Sequence, residues 1–446
     1  MNDLPTFSKE DVNTTQRVLT TIFQYGLTNE MATIELKKMP EFEKIVESCL
    51  KICSLQPKKK LKRKREDTPK LLQCYICRQE TVKDKSDMCN SCRNINTIKR
   101  SIRANLNGKV SIVTGGRVKI GFETAIRLLE CGSKVIITTR FPVDALTRYK
   151  ANVGYTDFAN NLTIYGVDLR YMSDIDKFVD FVCANFDRLD ILIHNAAQTL
   201  RRPKEFFKHL LQNELNCSSY KLICDKSSSC LTQVNQSDQQ IVLDSHPVQL
   251  MQKVFGALNN SENPALFPTG QYDKNSEQID LRKENTWTAK LGEIEMGECA
   301  ELLSINALAP FHMNQRFKNL MTKSSGSYIV NVSSMEGVFN MQGKTSNHPH
   351  TNMAKCALNM MTRTSAYAYA KNNIYMVSVD TGWVTNEYPV GCYGNNNDNP
   401  KKKHTIDVPL DNLDGACRIL DPVFKYFNGE RPTYGVFLKD YVVSDW

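Results

Sequence analysis

Cys74-x-x-Cys77, eleven residues, then Cys89-x-x-Cys92 is the pattern in this chain with the most definite chemistry. Each pair can chelate through a tight knuckle, and two pairs complete a tetrahedral thiolate site for Zn²⁺. Four cysteines leave no open coordination position, so the expected ion is structural, and binding it would be part of folding the module. The residues between the pairs are polar and charged (Arg78, Glu80, Lys83, Asp84, Lys85, Asp87), as suits a loop held by metal instead of a core. A redox CxxC is the rival for either pair alone, but a thioredoxin-like site needs a βαβ context that is missing there. The second chemical pattern is Thr114-Gly115-Gly116-Arg117-Val118-Lys119-Ile120-Gly121, placed between an apolar run and a helical pattern. A turn of this kind brings backbone N–H groups and a helix N-terminus to a dinucleotide pyrophosphate.

Both patterns need elements to hold them. From Leu106 onward apolar strand candidates alternate with helical periodicity: Val110 to Thr114, Lys134 to Thr139, Leu162 to Val167, Ile191 to His194, Tyr328 to Val332 and Ile374 to Val379. Helical patterns lie between them at Phe122 to Cys131, Asp174 to Phe186, Cys299 to Met321 and Asn352 to Lys371. Alternating βα units predict a parallel sheet covered on both faces, a Rossmann-type doubly wound α/β fold over 106–446. Residues 198–297 interrupt the alternation as an insertion, and Asn216 to Gln240, rich in Ser, Gln, Asn and Cys, reads as a mobile loop.

The N-terminal part reads differently. Residues 1–53 predict a small helical extension, with Val12, Val18, Leu19, Ile22 and Phe23 on one face and Phe42, Ile45, Val46, Cys49, Leu50 and Cys53 on another. Two short helices bury little apolar surface, so the expectation is a docking extension. Residues 54–70 form a basic linker and 71–100 the four-cysteine zinc-binding module. The chain carries a formal charge of +9, and the run Lys58 to Arg65 contributes seven basic residues with no acid, so the rest is nearly neutral. Residues 57–65 therefore read as a monopartite import signal for an importin-type receptor, a nonspecific anionic contact, or a solvated linker. No interleaved aromatics or recognition helix accompany it, so sequence-specific nucleic-acid reading is not expected.

Composition bounds the rest. With 41% hydrophobic and 24% charged residues the chain is globular, which excludes wholesale disorder, collagen-like repeats and a coiled-coil rod. The first ten residues are polar and acidic, with no apolar segment behind a basic start, and no run approaches 18 apolar residues. A nuclear or cytoplasmic, non-secreted and non-membrane protein is the expectation. Its fifteen cysteines then read as free thiols or metal ligands, not a disulfide scaffold.

Further motifs follow in order, and together they resemble the short-chain dehydrogenase/reductase family. The glycine string matches that family's TGxxxGxG turn. Asp168-Leu169 resembles the pair that contacts adenine, and Asn195-Ala196-Ala197 the segment closing the fourth strand. Asn306, Ser334 of Asn331-Val332-Ser333-Ser334, and Lys355 stand where the family has its catalytic Asn, Ser and Lys. Asp380-Thr381-Gly382-Trp383-Val384-Thr385 resembles PGxxxT, with Thr381 for Pro. The resemblance implies a dinucleotide held by Gly115, Arg117, Lys119, Ile120, Gly121, Arg140, Asp168, Leu169, Asn195, Ala196, Lys355, Thr381 and Gly382. It also implies a homodimer or tetramer built on the helix carrying Lys355.

Cofactor choice follows from charge. Arg140 ends the second strand where an NAD-selective site would place a carboxylate, and Arg117 is close by in sequence, so NADP(H) is favoured over NAD(H). The alternative is an Arg that only caps the sheet edge.

Two departures stand out. Lys119 replaces the middle glycine, and it either obstructs the phosphates or adds a cation to them. Thr351 replaces the tyrosine of YxxxK, and an aliphatic hydroxyl is a far weaker acid than a phenol near pKa 10. His348 or His350 could shuttle the proton instead, or His348-Pro349-His350 could only order the loop. The string from His348 to Lys355, with the cysteine-rich N-terminal segment, resembles a divergent branch of the family. Two functions stay open: an NADP(H)-dependent oxidoreductase acting on an unidentified carbonyl or alcohol through Asn306, Ser334, Thr351 and Lys355, and a catalytically inactive NADP(H)-binding sensor or scaffold.

Overall fold

Runs such as Val110–Thr114 and Ser327–Ser333 are buried along their whole length. A strand apolar on both faces must lie inside a sheet with helices above and below. The computed structural model of the chain describes residues 72–82, 88–216, 241–243, 263–341, 343–390 and 408–446. The helical extension expected over 1–53, the basic linker, and nearly all of the Asn216 to Gln240 loop lie outside the described residues.

In chain order the strands are β1 (Leu72–Gln73), β2 (Thr81–Val82), β3 (Val110–Thr114), β4 (Lys134–Thr139), β5 (Leu162–Gly166), β6 (Ile191–His194), β7 (Ile241–Leu243), β8 (Ser327–Ser333), β9 (Ile374–Asp380), β10 (Phe437–Lys439) and β11 (Val442–Ser444). The helices are α1 (Asn90–Ser101), α2 (Lys119–Glu130), α3 (Pro142–Lys150), α4 (Tyr155–Phe158), α5 (Met172–Asn185), α6 (Lys204–Asn216), α7 (Met296–Leu303), α8 (Ala309–Met321), α9 (Pro349–Ala370) and α10 (Asn412–Phe427).

Nine strands form one sheet in the order β11-β10-β9-β8-β6-β3-β4-β5-β7. All its pairs are parallel except β10 with β11. Chain order reverses between β3 and β6, so the doubly wound Rossmann-type sheet is present, with its crevice at that switch point.

Two cores flank the sheet. Leu128, Ala125, Ile419, Val423 and Phe424 of α2 and α10 pack on one face with Val113, Ile137 and Val330. On the other, Phe178 and Val182 of α5 and Met313 and Phe317 of α8 meet Ile112, Leu192 and Ile329. The six strands expected from sequence lie where the apolar runs place them.

Several elements have no clear sequence pattern. The long helix expected over Cys299 to Met321 is broken by a π turn at Ser304–Leu308. Helix α10 is closed by a reciprocal cap between Asp411 and Asp414. Within the insertion, α6 packs beside α3: the carboxylate of Glu214 accepts the N–H groups of Val143 (3.0 Å) and Asp144 (3.1 Å), satisfying the first turn of α3. Strand β7 then extends the sheet past β5.

Candidate functional site

Gly115, Arg140, Asp168, Asn195, Ser334 and Thr381 each lie within two residues of the carboxyl end of a strand, so the topology brings all six to one edge of the sheet. The glycine turn is built by close approach. Gly115 has φ +70°, and a Cβ on it would lie 2.9 Å from Ala196 Cα. A Cβ on Gly121 would lie 2.3 Å from the Gly115 carbonyl and 2.4 Å from Asn195 Nδ2. Asn195 Nδ2 donates to the carbonyls of Thr114 (3.1 Å) and Gly115 (3.2 Å), and the Ala196 N–H donates to Thr114 Oγ1 (3.0 Å). Helix α2 begins here with no side-chain cap and no acid in its first turn, leaving its N–H groups for an anion. A backbone cradle that side chains would fill, next to an uncapped helix start, fits a dinucleotide pyrophosphate.

Lys119 adopts φ +54°, the left-handed backbone that a glycine takes without cost, and so carries about 1 kcal/mol of strain. Its positive charge is felt at Glu387, whose carboxylate pairs with Arg202 at 3.4 Å. Burial works against the ionised form of that carboxyl, but Lys119 and Arg202 outweigh it and hold its pKa below the usual range.

At the ends of β3 and β4 two arginines differ sharply. Arg117 is buried and gripped by Asp144 (2.6 Å) and by Glu277 of the insertion (2.7 Å), so its charge is already neutralised. Arg140 has no ion pair among the described residues. Its guanidinium lies over the rings of Phe141 (5.6 Å) and of Phe207 from α6 (5.0 Å), and burial lowers its pKa. Asp168 is fully buried, with both oxygens held by Arg170 at 2.6–3.0 Å. Leu169 and Ile120 contribute apolar packing to the two cores.

At the other half of the edge, Asn306 sits in the π turn. Its Oδ1 accepts the Gln198 N–H and its Nδ2 donates to the Gln198 carbonyl, both at 2.8 Å. It therefore fixes the loop after β6. Ser334 Oγ accepts the Glu336 N–H at 3.2 Å and keeps its own proton to donate. A Cβ on Gly337 would lie 2.4 Å from the Lys355 carbonyl carbon, so only glycine lets the Ser334 loop reach α9.

Lys355 Nζ donates to the Val332 carbonyl at 2.8 Å, and burial lowers its pKa to about 8, against the pull of Asp380. Asp380, which accepts the Gly382 N–H at 3.1 Å, is pushed up to about 6 by burial. Thr381 is buried and Gly382 takes φ +76°. Thr351 is 2% exposed and donates its hydroxyl to the Thr199 carbonyl at 3.2 Å.

The two histidines divide. His348 Nδ1 donates to the Trp287 carbonyl (2.7 Å), Nε2 meets Glu336 (3.2 Å), and the ring stacks on Trp287 with centroids 4.0 Å apart. It orders the loop. His350 is buried, neither ring nitrogen is hydrogen-bonded among the described residues, and burial lowers its pKa against the pull of Glu298, 3.9 Å from Nε2.

The four Sγ atoms of Cys74, Cys77, Cys89 and Cys92 all lie within 4.8 Å of one another, with Cys77 and Cys89 at 3.8 Å. Tetrahedral Zn–S bonds of ~2.3 Å would set the sulfurs ~3.8 Å apart. The cluster is compatible with zinc. Backbone donors favour the thiolate at one of the four sulfurs, while the Cys89 and Cys92 thiols are raised. Burial would raise the Cys74 thiol, but the N–H groups of Cys89, Cys77 and Ile76 bring it down to about 6. Residues 71–446 form one unit, and Tyr75, inside the first knuckle, reaches the β9 edge, where its phenol oxygen accepts the Trp383 N–H at 2.7 Å.

Asp380, Tyr75, Glu277 and Phe207 are the contributors that the sequence reading missed. Asp380 opens a recognised segment but carries no role in its motif, whereas Tyr75 is a spacer between two ligands in the cysteine pattern.

Comparison with known proteins agrees with the geometry. Residues 109–219 match a family model described as short chain dehydrogenase, and residues 283–410 one described as enoyl-(acyl carrier protein) reductase. Together they cover more than half of the 446 residues. An uncharacterized protein of Acanthamoeba polyphaga mimivirus is 28% identical over 367 residues, covering 79% of this chain and 71% of its own. A fatty acyl-CoA reductase of Acinetobacter baylyi is 32% identical over 100 residues, covering 22% of this chain, and the match spans only a third (33%) of that relative's own length. The NADPH-bound carbonyl reductase from chicken fatty liver superposes with a TM-score of 0.46 at 17% identity, over 77% of this chain and 100% of that one. At that score it bears on neither cofactor nor substrate.

Proposed function

Because the chain belongs to the short-chain dehydrogenase/reductase family, we propose that it is an NADP(H)-dependent oxidoreductase with an altered proton relay, acting on a carbonyl or alcohol. The observation that carries the cofactor assignment is Arg140. A half-buried guanidinium held between two aromatic rings, with no ion pair among the described residues, is favoured by an anion that completes it, and the 2′-phosphate of NADP(H) would be that anion. Arg117, paired with Asp144 and Glu277, is left out of this role.

Gly115, Gly121 and the uncapped start of α2 would take the pyrophosphate, with Asn195 and Ala196 holding the turn. Lys355, fixed by the Val332 carbonyl, would hold the nicotinamide ribose, and Thr381 and Gly382 would flank the ring. A bound nicotinamide supplies or accepts the hydride. Ser334, whose hydroxyl proton is uncommitted, would polarise the substrate oxygen, and Asn306 would keep the facing loop in place.

Thr351 favours the second reading, a nucleotide-binding protein without turnover. Its hydroxyl is buried and already donates to Thr199, so it offers no proton to a substrate. The test has two stages. NADPH and NADH are titrated against the protein and against Arg140→Ala, which should lose at least tenfold in NADPH affinity and little in NADH affinity. A carbonyl screen follows. Binding without turnover, and no effect of Ser334→Ala, would leave the second reading standing. No binding of either dinucleotide would defeat both.

A further inference from the structure

Beyond the dinucleotide site, the four-cysteine knuckle touches the segment expected to flank the nicotinamide. We propose that Tyr75 is a positioning residue through which an ion held by Cys74, Cys77, Cys89 and Cys92 sets the conformation of residues 380–385. Resting on the dinucleotide reading above, this contact tunes affinity for the nicotinamide half of the cofactor.

The contact is direct. Gly382 N–H is held by Asp380 Oδ1 at 3.1 Å, and the next N–H, that of Trp383, is held by the Tyr75 phenol oxygen at 2.7 Å. One residue of the four-cysteine module therefore completes the hydrogen bonding of two successive amides. The turn is tightly walled: a Cβ on Gly382 would lie 2.5 Å from Leu410 Cδ1 and 3.6 Å from the Tyr75 oxygen.

The module is also anchored so that its shape is transmitted. Cys89 caps α1, its Sγ accepting the Cys92 N–H at 3.4 Å. From α1, Lys99 pairs with Asp421 (2.5 Å), Arg100 with Asp414 (2.9 Å), and Asn96 Oδ1 accepts from Tyr441 (3.2 Å). Helix α1 is thus fixed on α10 and on the turn between β10 and β11, while the knuckle carrying Tyr75 is tied to α1 through the cysteine sulfurs. Cys89 N–H, for example, donates to Cys74 Sγ at 3.3 Å. An ion closing the four sulfurs holds that knuckle against α1. Without it the sulfurs are free to separate, and Tyr75, next to Cys74, moves with them. Trp383 then loses its acceptor.

The test uses the full chain, with zinc content, amide exchange and ligand binding as readouts. Tyr75→Phe keeps the ring and removes the acceptor. It should retain about one zinc per chain while the Trp383 amide exchanges about tenfold faster and NADPH binds about five- to tenfold more weakly. Adenosine 2′,5′-bisphosphate, which lacks the nicotinamide half, should bind as to wild type, whereas a general loss of structure would weaken both ligands. Chelation of wild type should reproduce the same pattern and add little in Tyr75→Phe. Unchanged exchange at Trp383 in the variant, or equal weakening of both ligands, overturns the proposal. Should wild type bind no dinucleotide, the proposed function fails, and the Trp383 amide alone decides the coupling, faster exchange supporting it and unchanged exchange overturning it.

Discussion

Lys355 and Asp380 show how burial can set the chemistry of single side chains. Each is buried at the β8–β9 end of the sheet, and each is moved toward neutrality, Lys355 down to about 8 and Asp380 up to about 6. For Asp380 the folded value lies above the ordinary 3.8, so the native state holds its proton more tightly than the unfolded chain does. The cost of ionising it therefore develops as pH rises from about 4 through 6 and is complete above that. Asp380→Asn keeps an oxygen for the Gly382 N–H and removes the charge. It should be more stable than wild type by roughly 2–3 kcal/mol at pH 7, with no difference near pH 4. Urea unfolding at the two pH values checks this, and a constant gap at both would refute the buried-charge explanation. Lys119 is the opposite kind of residue: its backbone takes the left-handed conformation of the glycine it replaces, so the turn survives the substitution.

At the scale of elements, the glycine turn and α2 act as one piece, because no side chain fits between them. Gly121→Ala would drive a Cβ to 2.3 Å from the Gly115 carbonyl, displacing the turn from Asn195. Expected are a loss of about 1–3 kcal/mol in stability and of dinucleotide binding. Gly297, inside α7, meets nothing within 4 Å, so Gly297→Ala should be neutral or stabilise by about 0.5–1 kcal/mol. Thermal unfolding of both variants measures the contrast, and a Gly121→Ala protein as stable as wild type would contradict the packing described. The insertion is the other element with consequences. It contributes Glu277 to Arg117 and Phe207 to Arg140, so the segment that interrupts the βα alternation sets the surroundings of both arginines.

For the whole molecule, the four-cysteine module and the sheet are one body, joined by Tyr75, Lys99, Arg100 and Asn96. Metal analysis of purified protein should find about one zinc per chain, and replacing Cys74 and Cys77 together by Ser should abolish it. Because the large cores on both faces of the sheet contain none of these cysteines, the variant should keep its sheet by circular dichroism. A protein without zinc at any stage would remove the metal reading. No helix among the described residues is long and apolar enough to cross a membrane.

The sequence by itself determined what local chemistry encodes. β-branched runs buried on both faces can only be inner strands, Gly115 and Gly121 mark backbone contacts that no Cβ tolerates, and paired CxxC spacing brings four sulfurs within reach of one ion. It also showed that Thr351 cannot do a phenol's work. Helix α10, strands β10 and β11, and the π turn were missed because short strands and a capped C-terminal helix have weak patterns of their own and take their form from the sheet they complete. Only the tertiary structure decided which charges are already spent. Among the described residues Arg117 is neutralised by a glutamate 160 positions away while Arg140 has no ion pair, and His348 is committed while His350 has no hydrogen bond. Tyr75 reaches Trp383 across 308 positions. Charge pairing and burial depend on distances between residues remote in the chain, and spacing along a sequence carries no record of them.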